Sequence, residues 1–477
     1  MEVACVHQKP KIMRYLLLLF AFILMNTISF AQFENFDLSK YKLPEIKRHQ
    51  LDFEFDVSSG FSNEILKENR SSSILDFNED LKANYSYYFN SIKRQSNYYL
   101  QFSSDIQFNK EITDNNLFQK RNYNYTNLLL FTDDRFYLND DAFFIHIKPE
   151  FSISRRKIKE NLPANTKKVE LRKEELENEY NIDFEINFGF GFGRIESTGD
   201  LRQSIYILEE LFKNNCLKRL PSEKEILTIA DKIAKLKNQR FFDSRLQKIY
   251  EIKSIDSLLQ RIDLIEQTDA VYFTSINDYW NYGRESRNSG TRIQFDFVGK
   301  YHYSYDKDLY RDLGLDLVDL QEWEYITKQN IKFYGISVEL DSYKPINLKW
   351  QRYFGISSSF IHSTDAEVNG EPSGFDIDSN VLKLNSRYGY NWFLNTRTSA
   401  YGGTQLGYSQ FVYTQKDVEK NYRVNLSMNG RINYYFSPRL RMSYNLSAQF
   451  SLFEELYFDI ERKLVFSNSI SLNYALF

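Results

Sequence analysis

Cysteine is nearly absent: the 477 residues contain two, Cys5 and Cys216. The first lies in an N-terminal leader, so the mature chain keeps one and has no internal disulfide. Proline is scarce as well, at 8 residues, which leaves long strands free of the residue that interrupts a hydrogen-bonded ladder. Neither sign of charge prevails, with 61 Lys and Arg against 64 Asp and Glu for a net charge of -3. That balance excludes a nucleic-acid partner held by phosphate neutralisation. Beyond the leader there is no long apolar run, so a bundle of membrane-spanning helices is excluded. H-E-x-x-H, C-x-x-C and EF-hand spacings are all missing, and neither a metal nor a cofactor is indicated.

Aromatic residues are what the chain has in excess: 35 Tyr and 40 Phe bring the aromatic fraction to 17%, although all hydrophobic residues together make only 42%. Strands with one oily and one wet side have this composition. The leader consists of Lys11 and Arg14, the apolar run "YLLLLFAFIL" and the small residues Ser29 and Ala31. It reads as a secretory signal over 1–31, cleaved after Ala31, with Met13 an alternative start.

Period two dominates the rest. Leu440, Met442, Tyr444, Leu446, Ala448, Phe450 and Leu452 alternate with Arg439, Arg441, Ser443, Asn445, Ser447, Gln449 and Ser451. Tyr422, Val424, Leu426 and Met428 alternate in the same way with Arg423, Asn425, Ser427 and Asn429, and Arg431 continues the polar set. Such runs exceed the roughly five or six residues of ordinary strands and match the roughly nine to eleven that a tilted strand needs to cross a bilayer. In hydrocarbon every backbone amide must be paired, which a closed sheet achieves. The apolar side would face lipid and the polar side a wet lumen. The expected fold is an all-β transmembrane β-barrel of about fourteen antiparallel strands, six over 32–194 and eight over 285–477. Short connections such as "SPR" and "NTR" alternate with long polar ones such as "KIKENLPANTKKVELRKEELENEY". Short turns belong on the periplasmic side and long loops outside.

These features resemble bacterial outer-membrane β-barrel proteins, and the "FAQ" junction with Tyr/Phe/Asn-rich strands is similar to those of Bacteroidota. The resemblance implies the cell outer membrane as location, lipid as surroundings, and assembly by the barrel-assembly machinery through the strand ending at Phe477. One feature departs from it: Ile470, Leu472, Tyr474 and Leu476 are out of phase with Phe477. The resemblance assigns no activity.

Between the two sets of strands, 195–284 changes period. Leu201, Ile205, Leu208 and Phe212 recur at helical spacing, with Cys216 continuing the stripe. Ser222 and Glu225 have capping-box spacing ahead of Ile226, Ile229, Ile233 and Leu236. A third stripe holds Phe242, Leu246, Ile249, Leu259 and Ile262, and 269–280 suits a fourth helix. This small helical bundle stands where a short periplasmic turn is expected. Arg240, Asp243 and Arg245 form a surface ion-pair set or a helix cap or, alternatively, a contact for a periplasmic protein partner.

"NFGFGFGR" at 187–194 looks like a phosphate loop, but Gly189, Gly191 and Gly193 alternate with Phe188, Phe190 and Phe192. A phosphate loop needs its glycines at a turn from a strand into a helix. Here they make one bare face of the sixth strand, expected as a groove that gives the first helix room. The lumen set is Arg387, Arg423, Arg431, Arg439 and Arg441 late in the chain, with Asp183 and Glu185 early. These charges either pair internally or set a transverse field across a pore. His146 and His302 fall on wet-facing positions, and His362 near Asp365 is the one pair that would suit a hydrolase. The leading expectation is a channel or transport/export pore for small or polymeric solutes, and not an enzyme. The alternative is a non-conducting scaffold whose insert docks a periplasmic or secretion partner, and a barrel-embedded hydrolase ranks third.

Overall fold

Alternation over long runs becomes a ladder when each strand meets the next in register. The computed structural model describes residue 33 and residues 36–474, except 67–69, 114–117, 140–142, 164–171, 240–243, 282–286, 314–319, 365–366, 369–370, 373–378, 414–420, 438–439 and 456–457. The leader and Phe477 lie outside the described residues. Among those described, fourteen long strands form one antiparallel meander. The first six are β1 (Ile46–Leu66), β2 (Arg70–Asn90), β3 (Arg94–Thr113), β4 (Phe118–Asn139), β5 (Phe143–Pro163) and β6 (Arg172–Ser197). After the insert come β7 (Asn288–Leu313), β8 (Leu320–Pro345), β9 (Trp350–Ser363), β10 (Ser379–Phe393), β11 (Thr398–Tyr413), β12 (Asn421–Tyr435), β13 (Leu440–Glu455) and β14 (Phe458–Tyr474). A short hairpin, Glu367–Val368 with Glu371–Pro372, adds to β8. The ladder runs from β1 to β14, and among the described residues it contains no register joining those two.

The register aligns apolar residues in rows. Phe53, Ala83, Phe102, Leu128, Ile153 and Ile182 lie side by side across β1 to β6. Leu406, Leu426, Phe450 and Leu464 do the same across β11 to β14. Phe53, Phe102, Leu128, Ile153, Leu406, Phe450 and Leu464 are exposed, as are dozens of other large apolar side chains on this face. A contiguous apolar surface of that extent does not suit water.

Much of the long polar connection expected after β5 is ladder, which corrects the loop reading. β6, β7 and β8 each run 26 residues, and Pro163 still pairs with Arg172. Charged residues stay in these extensions because they meet opposite charges across the strands. Arg156 lies 2.6 Å from Glu179 and Lys307 2.9 Å from Glu324, while Lys159 pairs with Glu174.

The insert folds as α1 (Gly199–Lys213), α2 (Glu223–Lys237), α3 (Ser244–Arg261) and α4 (Ala270–Asn281). Leu201, Ile205, Leu208 and Leu211 of α1 meet Ile229 and Ile233 of α2, Ile255 and Leu259 of α3, and Ile276 and Trp280 of α4 in one buried core. Trp280 Nε1 donates to Glu251 Oε2 at 2.6 Å, and the Tyr272 hydroxyl to Asp256 at 2.9 Å, so the polar atoms of these two large buried side chains are satisfied. Burial pushes the Tyr272 hydroxyl well above its ordinary range. The capping box is complete: Glu225 N donates to Ser222 Oγ, and Ser222 N to Glu225 Oε2 at 2.7 Å. One expectation fails here. Leu246 and Ile249 are exposed, because the core covers α3 from Ile252 onward and leaves its first turns bare.

Two features bring this bundle over the sheet's turn-side end. A strap that the sequence does not announce, with Phe33, Leu38, Tyr41 and Leu43, leads into β1 and buries itself in the helical core. The paired ends of β6 and β7 also bend, with Gly193 at φ 86° and Gly290 at φ 117°. A Cβ on Gly193 would lie 2.1 Å from Thr291 O, and one on Gly290 2.1 Å from Arg194 O. Only glycine suits such a reciprocal, left-handed pair.

Gly193→Ala should therefore cost about 1–3 kcal/mol through strain, read as a lower midpoint of thermal unfolding, with a larger loss when combined with Gly290→Ala. Arg219, 2.7 Å away, is the largest influence holding the Glu225 carboxyl down at about 2, against burial and with help from Ser222. A depressed carboxylate stabilises the fold above its ordinary value of 4.5 and loses that effect as pH falls toward about 2. Helical circular dichroism should accordingly decline across that window, and Glu225→Gln should flatten the decline while costing about 1 kcal/mol at neutral pH.

Candidate functional site: the polar concave face and its helical cap

Opposite the apolar face, polar side chains crowd one another, and this crowding shows which way the sheet curves. Arg194 at the end of β6 donates to Ser91 O and Ile92 O in the β2–β3 turn, each at 2.8 Å, and Gln95 Nε2 reaches Ile195 O at 3.2 Å. Such bonds skip two intervening strands, which requires the polar face to be concave.

Near the turn side this face holds a buried network. His146 on β5 is wholly buried, with Nδ1 2.8 Å from Asp296 and Nε2 3.0 Å from Asp133. Arg135 lies 2.9 Å from Asp133 and reaches Gln294 at 3.3 Å, and Gln294 donates to Asp296 at 2.6 Å. The glycines of β6 make room for it. Register places Gly189 between His146 and Asp296, where a Cβ would lie 2.5 Å from the Asp296 carboxylate and 1.8 Å from Phe295 O. At Gly191 it would meet the Phe144 ring at 2.3 Å. The bare stripe thus admits the neighbouring strand, Asp296 and Phe144. The atoms nearest these glycines belong to β5 and β7 rather than to the first helix, which corrects the groove expectation. Sequence alternation put positions 133, 146 and 296 on one face, but only the register makes them level.

Other candidate residues find partners on their own strand or on strands nearby. Asp183 takes His302 at 2.8 Å and Lys300 at 3.8 Å, and Glu185 accepts from Asn187 at 3.1 Å. Arg387 on β10 pairs with Asp341 on β8, which also faces Arg292 at 3.6 Å. Arg431 Nε donates to Asn445 at 2.7 Å, and Arg441 lies over the Tyr435 ring at 5.9 Å. Arg423 is exposed farther along β12. His362 meets Asn380 at 3.2 Å, while Asp365 lies outside the described residues. Arg439, Arg240 and Asp243 also lie outside them, and Arg245 belongs to the first turn of α3.

The helical bundle rests on turns far apart in the sheet. Leu348 of the β8–β9 turn and Tyr88 of β2 pack on its core, and Arg397 of the β10–β11 turn pairs with Asp278 of α4 at 3.0 Å. Arg287, just before β7, acts as a latch. Buried almost completely, it donates to Leu348 O at 2.6 Å, Asn347 O at 2.5 Å and Trp350 O at 2.8 Å. Its carbonyl accepts from Thr198 N at 2.6 Å at the entry to α1. Arg287 and Arg202 share the Phe393 ring, at 5.2 and 4.3 Å. Burial, followed by the like charge of Arg202, pushes the Arg287 guanidinium down to about 9, still protonated at neutral pH. Because β2 and β9 lie half the meander apart, the bundle spans the turn-side end as a cap.

No family model matches this sequence, and no curated protein is similar to it. Among solved structures, the chain is similar to the translocator domain of autotransporter NalP from Neisseria meningitidis, at 9% identity over 83% of this chain and 91% of that one, with a TM-score of 0.25. It is similar to the CymD monoaromatic hydrocarbon channel at 7% identity, over 92% and 90% of the two chains, with a TM-score of 0.30. The Pseudomonas putida toluene transporter TodX gives 8% identity, 92% and 95% coverage and a TM-score of 0.29. Likenesses this faint carry no weight for function, and the fold rests on the ladder itself.

Proposed function

We propose that this chain is an outer-membrane channel whose periplasmic mouth is covered by a helical cap. One observation carries the reading: a single antiparallel sheet is apolar and exposed on its convex face and polar on its concave face. Lipid suits the first surface and water the second. Amides along the edges of β1 and β14 are untenable in hydrocarbon, so those strands meet in the bilayer and close the barrel. Export through a cleaved signal at Ala31 delivers the chain there, and its final strand engages the assembly machinery. The capped end carries the short turns, such as 91–93 and 346–349, and is therefore periplasmic.

The cap makes conductance a property of the bundle's docking. In planar bilayers the refolded protein should give infrequent steps. Arg287→Met, which removes the guanidinium donor from three turn carbonyls, should raise the open fraction severalfold with the strands intact. Deleting 200–282 should give a steadily open pore; a correctly folded deletion variant without conductance would sink the channel reading. A second reading, a scaffold with its docking site on the bundle, is favoured by the exposed Leu246, Ile249, Tyr250 and Phe273 of α3 and α4. It expects silence in that same experiment.

A further inference from the structure

The arginines of the concave face are not equivalent. Arg135 has Asp133, and Arg387 and Arg292 share Asp341. Arg431 and Arg441 face no carboxylate among the described residues. They line a cavity of about 810 Å³ formed by β10 to β14 at the capped end. Its sixteen lining residues include no Asp or Glu. Around the two guanidinium groups stand hydroxyls and amides, chiefly from Tyr401, Asn429, Asn433 and Asn445.

Several of these groups already hold one another in place. Arg431 spends its Nε on Asn445 Oδ1, and Asn445 Nδ2 donates to Ser469 at 3.2 Å. Asn433 donates to Ser399 at 3.3 Å, and Ser447 bonds Ser467 at 2.6 Å. Among the described residues, both terminal nitrogens of Arg431 are left without a protein acceptor. Arg441, 5.9 Å from the centre of the Tyr435 ring, makes no hydrogen bond to a described residue. Unspent terminal guanidinium nitrogens, those of Arg431 held in place by the Nε bond, match the paired oxygens of a carboxylate or phosphate. The neutral donors and acceptors beside them match hydroxyl groups. The volume falls within the range of small-molecule sites.

We infer that this cavity is a binding site for a small anionic, polyhydroxylated solute, a sugar acid or sugar phosphate, held at its charged end by Arg431 and Arg441. The inference deepens the channel reading by naming the solute class, and rests on it only for the route by which the solute arrives. Binding itself needs the folded barrel alone. Conductance and affinity can therefore fail independently: a silent bilayer with intact binding removes the channel and keeps the site.

Calorimetric titration of the full-length protein in detergent micelles tests it, with glucuronate, glucose 6-phosphate, glucose and inorganic phosphate as probes. At least one charged sugar should bind about tenfold or more tightly than glucose, the difference expected of a charge-assisted hydrogen-bonded pair. Which of the two anionic sugars wins tells a carboxylate site from a phosphate site. Arg431→Gln and Arg441→Gln should each weaken the charged sugar about tenfold and leave glucose unchanged, whereas Lys224→Gln on the exposed side of α2 should alter nothing. Heat-modifiable migration on gels checks that the variants remain folded barrels. Equal binding of glucose and both charged sugars, or full affinity in the folded double variant, would overturn the site. Inorganic phosphate binding as tightly as glucose 6-phosphate would overturn the sugar assignment.

Discussion

A backbone amide in hydrocarbon must find its partner within the protein, and that requirement organises this molecule. It demands an unbroken ladder, so proline is scarce and the strands run long. It frees one face of the sheet from water, so Phe, Leu and Ile stand exposed at every second position. The other face is then forced inward, where Asp, Glu, Arg and His cannot avoid one another. The buried set of His146, Asp133, Asp296 and Arg135 follows from that confinement, because charges drawn out of water must be paired or hydrogen-bonded. Arg431 and Arg441, on the same face with neutral neighbours, stay exposed and so keep water in place of a carboxylate.

The cap follows a different rule. Helices satisfy their own amides, so the bundle needs no ladder, and its apolar stripes bury one another instead. What joins the two parts is a small number of specific contacts: Arg287 on three turn carbonyls, Arg397 on Asp278, and the strap of Phe33 to Leu43. Arg287 and Arg397 tie the bundle to turns, and the strap ties it to the start of β1. A few polar attachments over separated turns, with Leu348, Tyr88 and Phe393 packed beside them, hold the cap in place.

Legibility differed by level. Strand positions could be read from alternation because the side-chain period in a strand is two and an error of one residue would turn every Phe inward. The helices could be read from stripes such as Leu201, Ile205 and Leu208 and from the Ser222–Glu225 cap. Strand ends could not. Residues 172–180 look like loop because they are highly charged, yet their charges meet Arg156, Lys159 and Arg311 across the ladder. The strap formed by Phe33 and residues 36–43 was also hidden, since its few apolar residues have no period until the helical core supplies their other half.

The candidate sites divide along the same line. Which residues face inward was decided by the sequence alone, because alternation assigns Asp183, Glu185, Arg387, Arg431 and Arg441 to one face whatever the neighbours are. Which of them stand level was decided by register, and register is a property of pairs of strands far apart in the chain. His146 comes beside Asp296 across 150 residues only because Gly189 lies between them and leaves the space. The glycines show the division most clearly: their alternation with phenylalanine is written in the sequence and rules out a phosphate loop. What fills the room they leave depends on the strand that lies alongside, and only the folded sheet chooses that strand.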